Sequence, residues 1–206
     1  MTKRTAIFLT IIVGLFLCAS CEKGQIEHEN RFERSYEAWL AFKTASGNTY
    51  RYEVSGGTWA GSSWLTSITV RQGRVVQRDF HYTVFNDVRM PEGGWATMPV
   101  EELLTQLGLS ADDFVEREGE PFHQALQWTE TEFELGTHER TPASGIQTLD
   151  EVYHMARTEW LKKRADASVS FEAKNDGLIS SAGFWPNGCM DDCFTGISIR
   201  SITAID

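Results

Sequence analysis

The residues best able to do chemistry crowd into one short stretch, Pro186-Asn187-Gly188-Cys189-Met190-Asp191-Asp192-Cys193. Its two thiols suit a zinc-like ion and its two carboxylates suit calcium. A zinc site needs four ligands at recognisable spacing, and no histidine or second cysteine pair supplies the rest. The simpler expectation is a disulfide, Cys189 to Cys193, that closes a hairpin loop between the last two strands and leaves Asp191 and Asp192 in solvent. Closing so short a loop contributes about 2 kcal/mol, so the bond would pin local geometry rather than hold the fold. Neither a metal nor a cofactor is implied.

A second candidate is the Gly/Ser-rich stretch from Gly56 to Trp64, which displays Trp59 and Trp64. An indole offers a large apolar area and one hydrogen-bond donor, so these rings could contact a ligand. Large aromatics are on average highly buried, and rings folded over the open face of a sheet are the plainer expectation. Glu130, Glu132 and Glu134 alternate, which would set three carboxylates on one face of a strand. Paired carboxylates are what a glycan hydrolase needs, although a solvated strand face explains them more simply. His28, His81, His123, His138 and His154 are scattered without metal-type spacing. No serine elbow, phosphate loop or dinucleotide fingerprint occurs, and no catalytic residue can be assigned.

The amino terminus speaks of address. Lys3 and Arg4 precede an apolar run from Ala6 to Leu17, which ends in Ala19, Ser20 and Cys21. That is the layout of a secretory signal, and the run is shorter than the roughly 20 residues a spanning helix needs. Cys21 after two small residues resembles the lipobox of bacterial lipoproteins, with Cys18 where an aliphatic residue is usual. The resemblance implies a signal peptide over 1–20, a lipidated thiol at Cys21 and membrane attachment through that lipid. Glu22 follows the cysteine where an inner-membrane lipoprotein would carry Asp, which points to the outer membrane or cell surface of a bacterial envelope. The polar residues 21–30 read as a flexible tether. Export also suits the disulfide, since Cys189 and Cys193 are the pair left over in an oxidising compartment.

The remaining residues, 31–206, suffice for one domain. Hydrophobic residues make up 41% of the chain and charged ones 23%, enough for a packed core with a soluble surface. The net charge is −10, and it becomes more negative once Lys3 and Arg4 leave, so nucleic acid is not expected as a partner. Phe32, Tyr36, Trp39 and Leu40 predict an amphipathic helix over 30–45. Strands are expected at Thr49–Ser55, Trp64–Arg71 and Arg74–Phe85, the last two joined at Gln72-Gly73. A loop over 86–97 and a short helix over 99–107 follow. Residues 109–147 are hard to read, with Phe122–Phe133 as a candidate strand. Thr148 and Glu151 form a capping box that opens a helix running to about Arg164. Runs at 167–174, 178–185 and 194–205 complete the order, with Asn175-Asp176-Gly177 as a tight turn. The class is α+β: an antiparallel sheet of two helix-plus-three-strand units, suggestive of a duplication, with helices on one face.

Two places carry a family resemblance. They are Tyr50-Arg51-Tyr52 with Ile68-Thr69-Val70 and Gly73-Arg74-Val75-Val76, and Thr148-Leu149-Asp150-Glu151-Val152 with Val169 to Ile179. The chain resembles the uncharacterised bacterial secreted and lipoprotein domains grouped as domain of unknown function 6174. The resemblance implies a fold and an extracytoplasmic setting and brings no assigned activity. The expected function is a non-enzymatic binding or interaction module of the cell envelope, with an envelope protein or glycan as partner. An envelope-polymer hydrolase is one alternative, and a structural subunit marked by a large exposed apolar patch is another.

Overall fold

The computed structural model describes residues 24–110, 112 and 122–206. The leader and Cys21 lie outside the described residues. From Gly24 onward the stretch expected as a tether is docked. Ile26 is buried and bridges Lys162, the Glu27 amide donates to the Leu161 carbonyl at 2.7 Å, and His28 Nε2 donates to the Val169 carbonyl at 3.1 Å. The apolar Ile26 side chain explains the difference, because it gains a core place that a solvated linker would deny it.

Helix α1 spans Glu29–Ala45 and buries Phe32, Ser35 and Trp39, one stripe at helical spacing. It leads into strands β1 (Tyr50–Gly57), β2 (Ser63–Arg71) and β3 (Arg74–Phe85). Gln72 and Gly73 both take positive φ, 49° and 79°, as a two-residue turn matched to strand twist requires. A second such turn at Asn86 and Asp87 returns the short β4 (Val88–Arg89) against the end of β3. Helix α2 (Val100–Leu107) starts after Pro99 and stops at Gly108, which is left-handed with φ 63°.

The expected strand over 122–133 divides into helix α3 (Phe122–Leu126) and strand β5 (Gln127–Thr131). The Phe122-to-Leu126 run is apolar at both ends and fits either period over so few residues, so pattern alone cannot separate the two. The capping box at Thr148 forms as expected, with Glu151 N donating to Thr148 Oγ1 and the Glu151 carboxylate accepting from Thr148 N at 2.7 Å. Helix α4 (Leu149–Met155) then widens into a π turn, Ala156–Trp160. It ends short of Arg164 because Leu161 to Lys163 pair with residues 25–27 instead. Strands β6 (Ala167–Glu172), β7 (Ser181–Pro186) and β8 (Thr195–Ala204) finish the chain.

All eight strands join one antiparallel sheet in the order β4-β3-β2-β1-β8-β7-β6, with β5 alongside β3. The fold is α+β, two helix-plus-three-strand units with their helices on one face. Strand order runs the same way in both units while strand direction is reversed. With α1 and α4 on the same face, no rotation superposes one unit on the other. The shared order of elements is therefore not a structural duplication.

Tyr50, Tyr52, Val54, Ile68 and Val70 face the helices and pack with Phe32, Trp39, Val152 and Tyr153 in the main core. Phe80, Tyr82, Trp95, Leu103 and Trp128 form a second core under the middle insertion. Tyrosine hydroxyls tie the layers together. Tyr50 Oη accepts from the Leu149 amide at 2.8 Å, at the orphan end of α4, and Tyr52 Oη donates to the Gln147 carbonyl at 2.5 Å. Among the described residues, no helix is long and apolar enough to cross a membrane.

Candidate functional site

Antiparallel pairing between β1 and β8 runs from Tyr50 with Ala204 to Val54 with Ile199, and a bulge interrupts it between Glu53 and Val54. Past Val54 the two strands part. The remainder of β1 pairs only with β2, Gly56 with Trp64 and Gly57 with Ser63, and the start of β8 pairs only with β7. Between the separated edges lies a cleft of about 540 Å³. The edges Val54 to Thr58 and Gly196 to Ser198 form its lips, and Trp64, Trp160, Phe194 and Gln147 are among its walls.

At its far end the split is fastened again. Asp192 accepts from the Trp59 amide through both carboxylate oxygens, at 3.0 and 3.2 Å, so the hairpin after β1 clasps the loop before β8. That loop is closed by the Cys189–Cys193 disulfide, with Cα atoms 6.3 Å apart. The two stretches singled out by residue chemistry, far apart in sequence, thus meet at one end of the sheet. Asp191 is exposed as expected, whereas Asp192, though exposed, is committed to the clasp.

Trp59 leaves 77% of its surface in solvent and does not fold over the sheet. Trp64 is half-buried on the helix-facing side, edge-on to Tyr82 at 6.0 Å. Its indole lies across Gly56 so closely that a Cβ there would come 2.5 Å from the ring. A second cavity of about 420 Å³, beside Tyr82 and Arg140, shares Thr58, Trp64 and Pro142 with the first. Trp64 is therefore a partition between the two cavities, and Gly56 allows it to lie there. Gly56→Ala should displace the indole at a cost of about 1 to 2 kcal/mol, read as a change in near-ultraviolet circular dichroism with a lowered urea midpoint. An unchanged aromatic spectrum would show that the ring does not rest on Gly56.

The three alternating glutamates do not share a face, because β5 ends at Thr131. Glu132 is exposed, 3.8 Å from Arg74, and Glu134 turns back to accept from Thr131 Oγ1 at 2.6 Å. Glu130 is wholly buried and committed to structure. Arg78 donates to it twice at 2.9 Å, the Gly136 and His138 amides donate at 3.0 and 2.8 Å, and His138 Nδ1 lies 3.1 Å away. Burial pushes its pKa up, but the Arg78 fork and the two amides outweigh burial and pull it down to about 2. A carboxylate so held neither donates nor takes a proton near neutrality. His138 stacks on Trp128 at 4.3 Å, and Arg78 covers the same indole at 4.9 Å.

Among the described residues, Asp192 is the only charged one lining the cleft. Among the described residues no group of three or more His, Cys, Asp or Glu side chains is placed to hold a metal. The remaining histidines stay apart: His28 caps the entry to α1, His81 lies on the open face of β3, His123 is in α3 and His154 is exposed on α4. Burial lowers the His81 pKa, and Glu53 and Asp79 oppose that shift.

No family model, curated protein or solved structure matches this chain. The split between β1 and β8 was not legible from residue types. Only the glycines at 56, 57 and 196 hinted that backbone, rather than side chains, forms its lips.

Reducing the disulfide should lower stability by no more than about 2 kcal/mol and loosen the clasp at Asp192. Alkylation before and after reduction checks this. Thiols that label without reductant would show the bond to be absent from the protein in solution.

Proposed function

We propose that this chain is a lipid-anchored, extracytoplasmic binding module whose ligand seats in the cleft between β1 and β8. The observation that carries the reading is the parted sheet itself. A fold able to continue its β1–β8 ladder instead holds two edges apart around a walled space, within the size range of ligand sites. Three aromatic rings on the walls supply contact area, and among the described residues the lining carries one carboxylate rather than the pair that acid–base hydrolysis uses. The anchoring half rests on the lipobox-like sequence at Cys21 and on the leader before it.

The test uses full-length protein extracted from membranes. Mass spectrometry of its amino terminus should find a diacylglycerol-modified Cys21 with the leader removed. Envelope extract, separated into protein, peptide, glycan and lipid fractions, is then passed over immobilised protein and over a Gln147→Trp variant, whose indole fills the cleft. Retention by the wild type alone, with the retained material unshortened, supports a binding module. Shortened products would support a hydrolase, and equal retention by both proteins would move the site elsewhere.

A further inference from the structure

The cleft differs from an ordinary pocket in what its lips are made of. Each lip is the edge of a β-strand, and beyond the Val54–Ile199 pair neither Gly56 and Gly57 nor Gly196 and Ile197 has a register partner on the opposite lip. A strand edge without a neighbour presents N–H and C=O groups at the spacing of a ladder, a template that another extended chain completes. Here two such edges face each other across one space. We propose that the cleft takes an extended peptide segment of a second protein, inserted as an added strand between β1 and β8. This deepens the binding-module reading and rests on the cleft being the ligand site.

Three features fit a peptide strand. Because β1 and β8 are antiparallel, an inserted chain runs antiparallel to one lip and parallel to the other, and either pairing satisfies its main chain. Successive side chains of that strand point to opposite faces of the sheet. On the helix side they meet the Trp64 and Trp160 walls, which favours an apolar residue at alternate positions. Among the described residues the lining carries one carboxylate and no cation, on a chain of net charge −10, which favours a neutral or basic segment over an acidic one.

The experiment selects a phage-displayed library of random peptides on the full chain, with the Gln147→Trp variant as counter-selection. Selected peptides should alternate an apolar residue with other types. N-methylation of alternate backbone amides should weaken each peptide about tenfold, the loss of one hydrogen bond, while the intervening positions tolerate it. Amide hydrogen exchange should slow at Gly57 and Gly196, whose amides face across the cleft, when peptide is bound. Peptides indifferent to N-methylation at every position, or protection confined elsewhere, would overturn strand insertion while the cleft stands. If no peptide is enriched but an envelope glycan or lipid is retained through the cleft, the ligand class is wrong and the binding reading survives. If nothing is retained from either source, both fall.

Discussion

Replacing Arg78 with Met should destabilise the protein by about 3 to 5 kcal/mol at pH 7, the largest loss expected from any polar residue in this fold. Arg78 and Glu130 have side-chain exposures of 6% and 0%, and removing the guanidinium strands a carboxylate in the interior. Urea titration of wild type and variant gives the difference directly, and a loss under about 1 kcal/mol would mean that water reaches Glu130. The double variant Arg78→Met/Glu130→Leu should recover only part of the loss. The Gly136 and His138 amides would then lack the acceptor that shapes the turn after β5. Acidity supplies an independent reading. The Glu130 pKa is depressed to about 2 from an ordinary 4.5, so its contribution of about 3 kcal/mol is complete above pH 4.5 and disappears as pH falls through 2. The stability gap between wild type and Glu130→Gln should therefore narrow across that window and stay constant above it.

Tyr153→Phe should cost about 3 kcal/mol although it deletes one oxygen atom. The hydroxyl accepts from the Ile179 amide at 3.0 Å and lies 3.1 Å from the Ser35 carbonyl and 2.8 Å from Ser35 Oγ, all of it buried. It joins α1, α4 and the entry to β7 at one point. A phenylalanine keeps the ring contacts with Phe32 and Trp39 but leaves an amide and a serine without partners in the core. A shift in urea midpoint corresponding to less than about 1 kcal/mol would show that Ser35 and Ile179 find other partners. Burial also raises the Tyr50, Tyr52 and Tyr153 pKa values above the ordinary 10. Stability from these groups is thus present below pH 10 and is lost only as alkaline conditions ionise them.

Elements with strong local chemistry could be read from residues alone. The Gln72-Gly73 and Asp176-Gly177 turns, the Thr148 capping box and the Phe32–Trp39 stripe each carry their own physical signal, and each forms. Elements decided by distant partners were harder. Nothing near Ile26 says that it will pair with Lys162, and nothing near Glu130 says that Arg78 waits across the sheet. The cleft is the extreme case, since it arises where two strands cease to pair. A missing ladder has no composition, so Trp59 and the cysteine loop could be singled out without any sign that Asp192 clasps them together.

The docking of Ile26 sets how far the body of the protein can stand from Cys21. Three Cα-to-Cα steps separate Cys21 from Gly24, so the two Cα atoms lie within about 11 Å of each other. The Lys163 amide donates to the Gln25 carbonyl, and Trp160 walls the cleft, so Gln25 sits at the same end of the sheet as the split. A lipid on Cys21, as proposed, would therefore turn the split end of the sheet toward the bilayer.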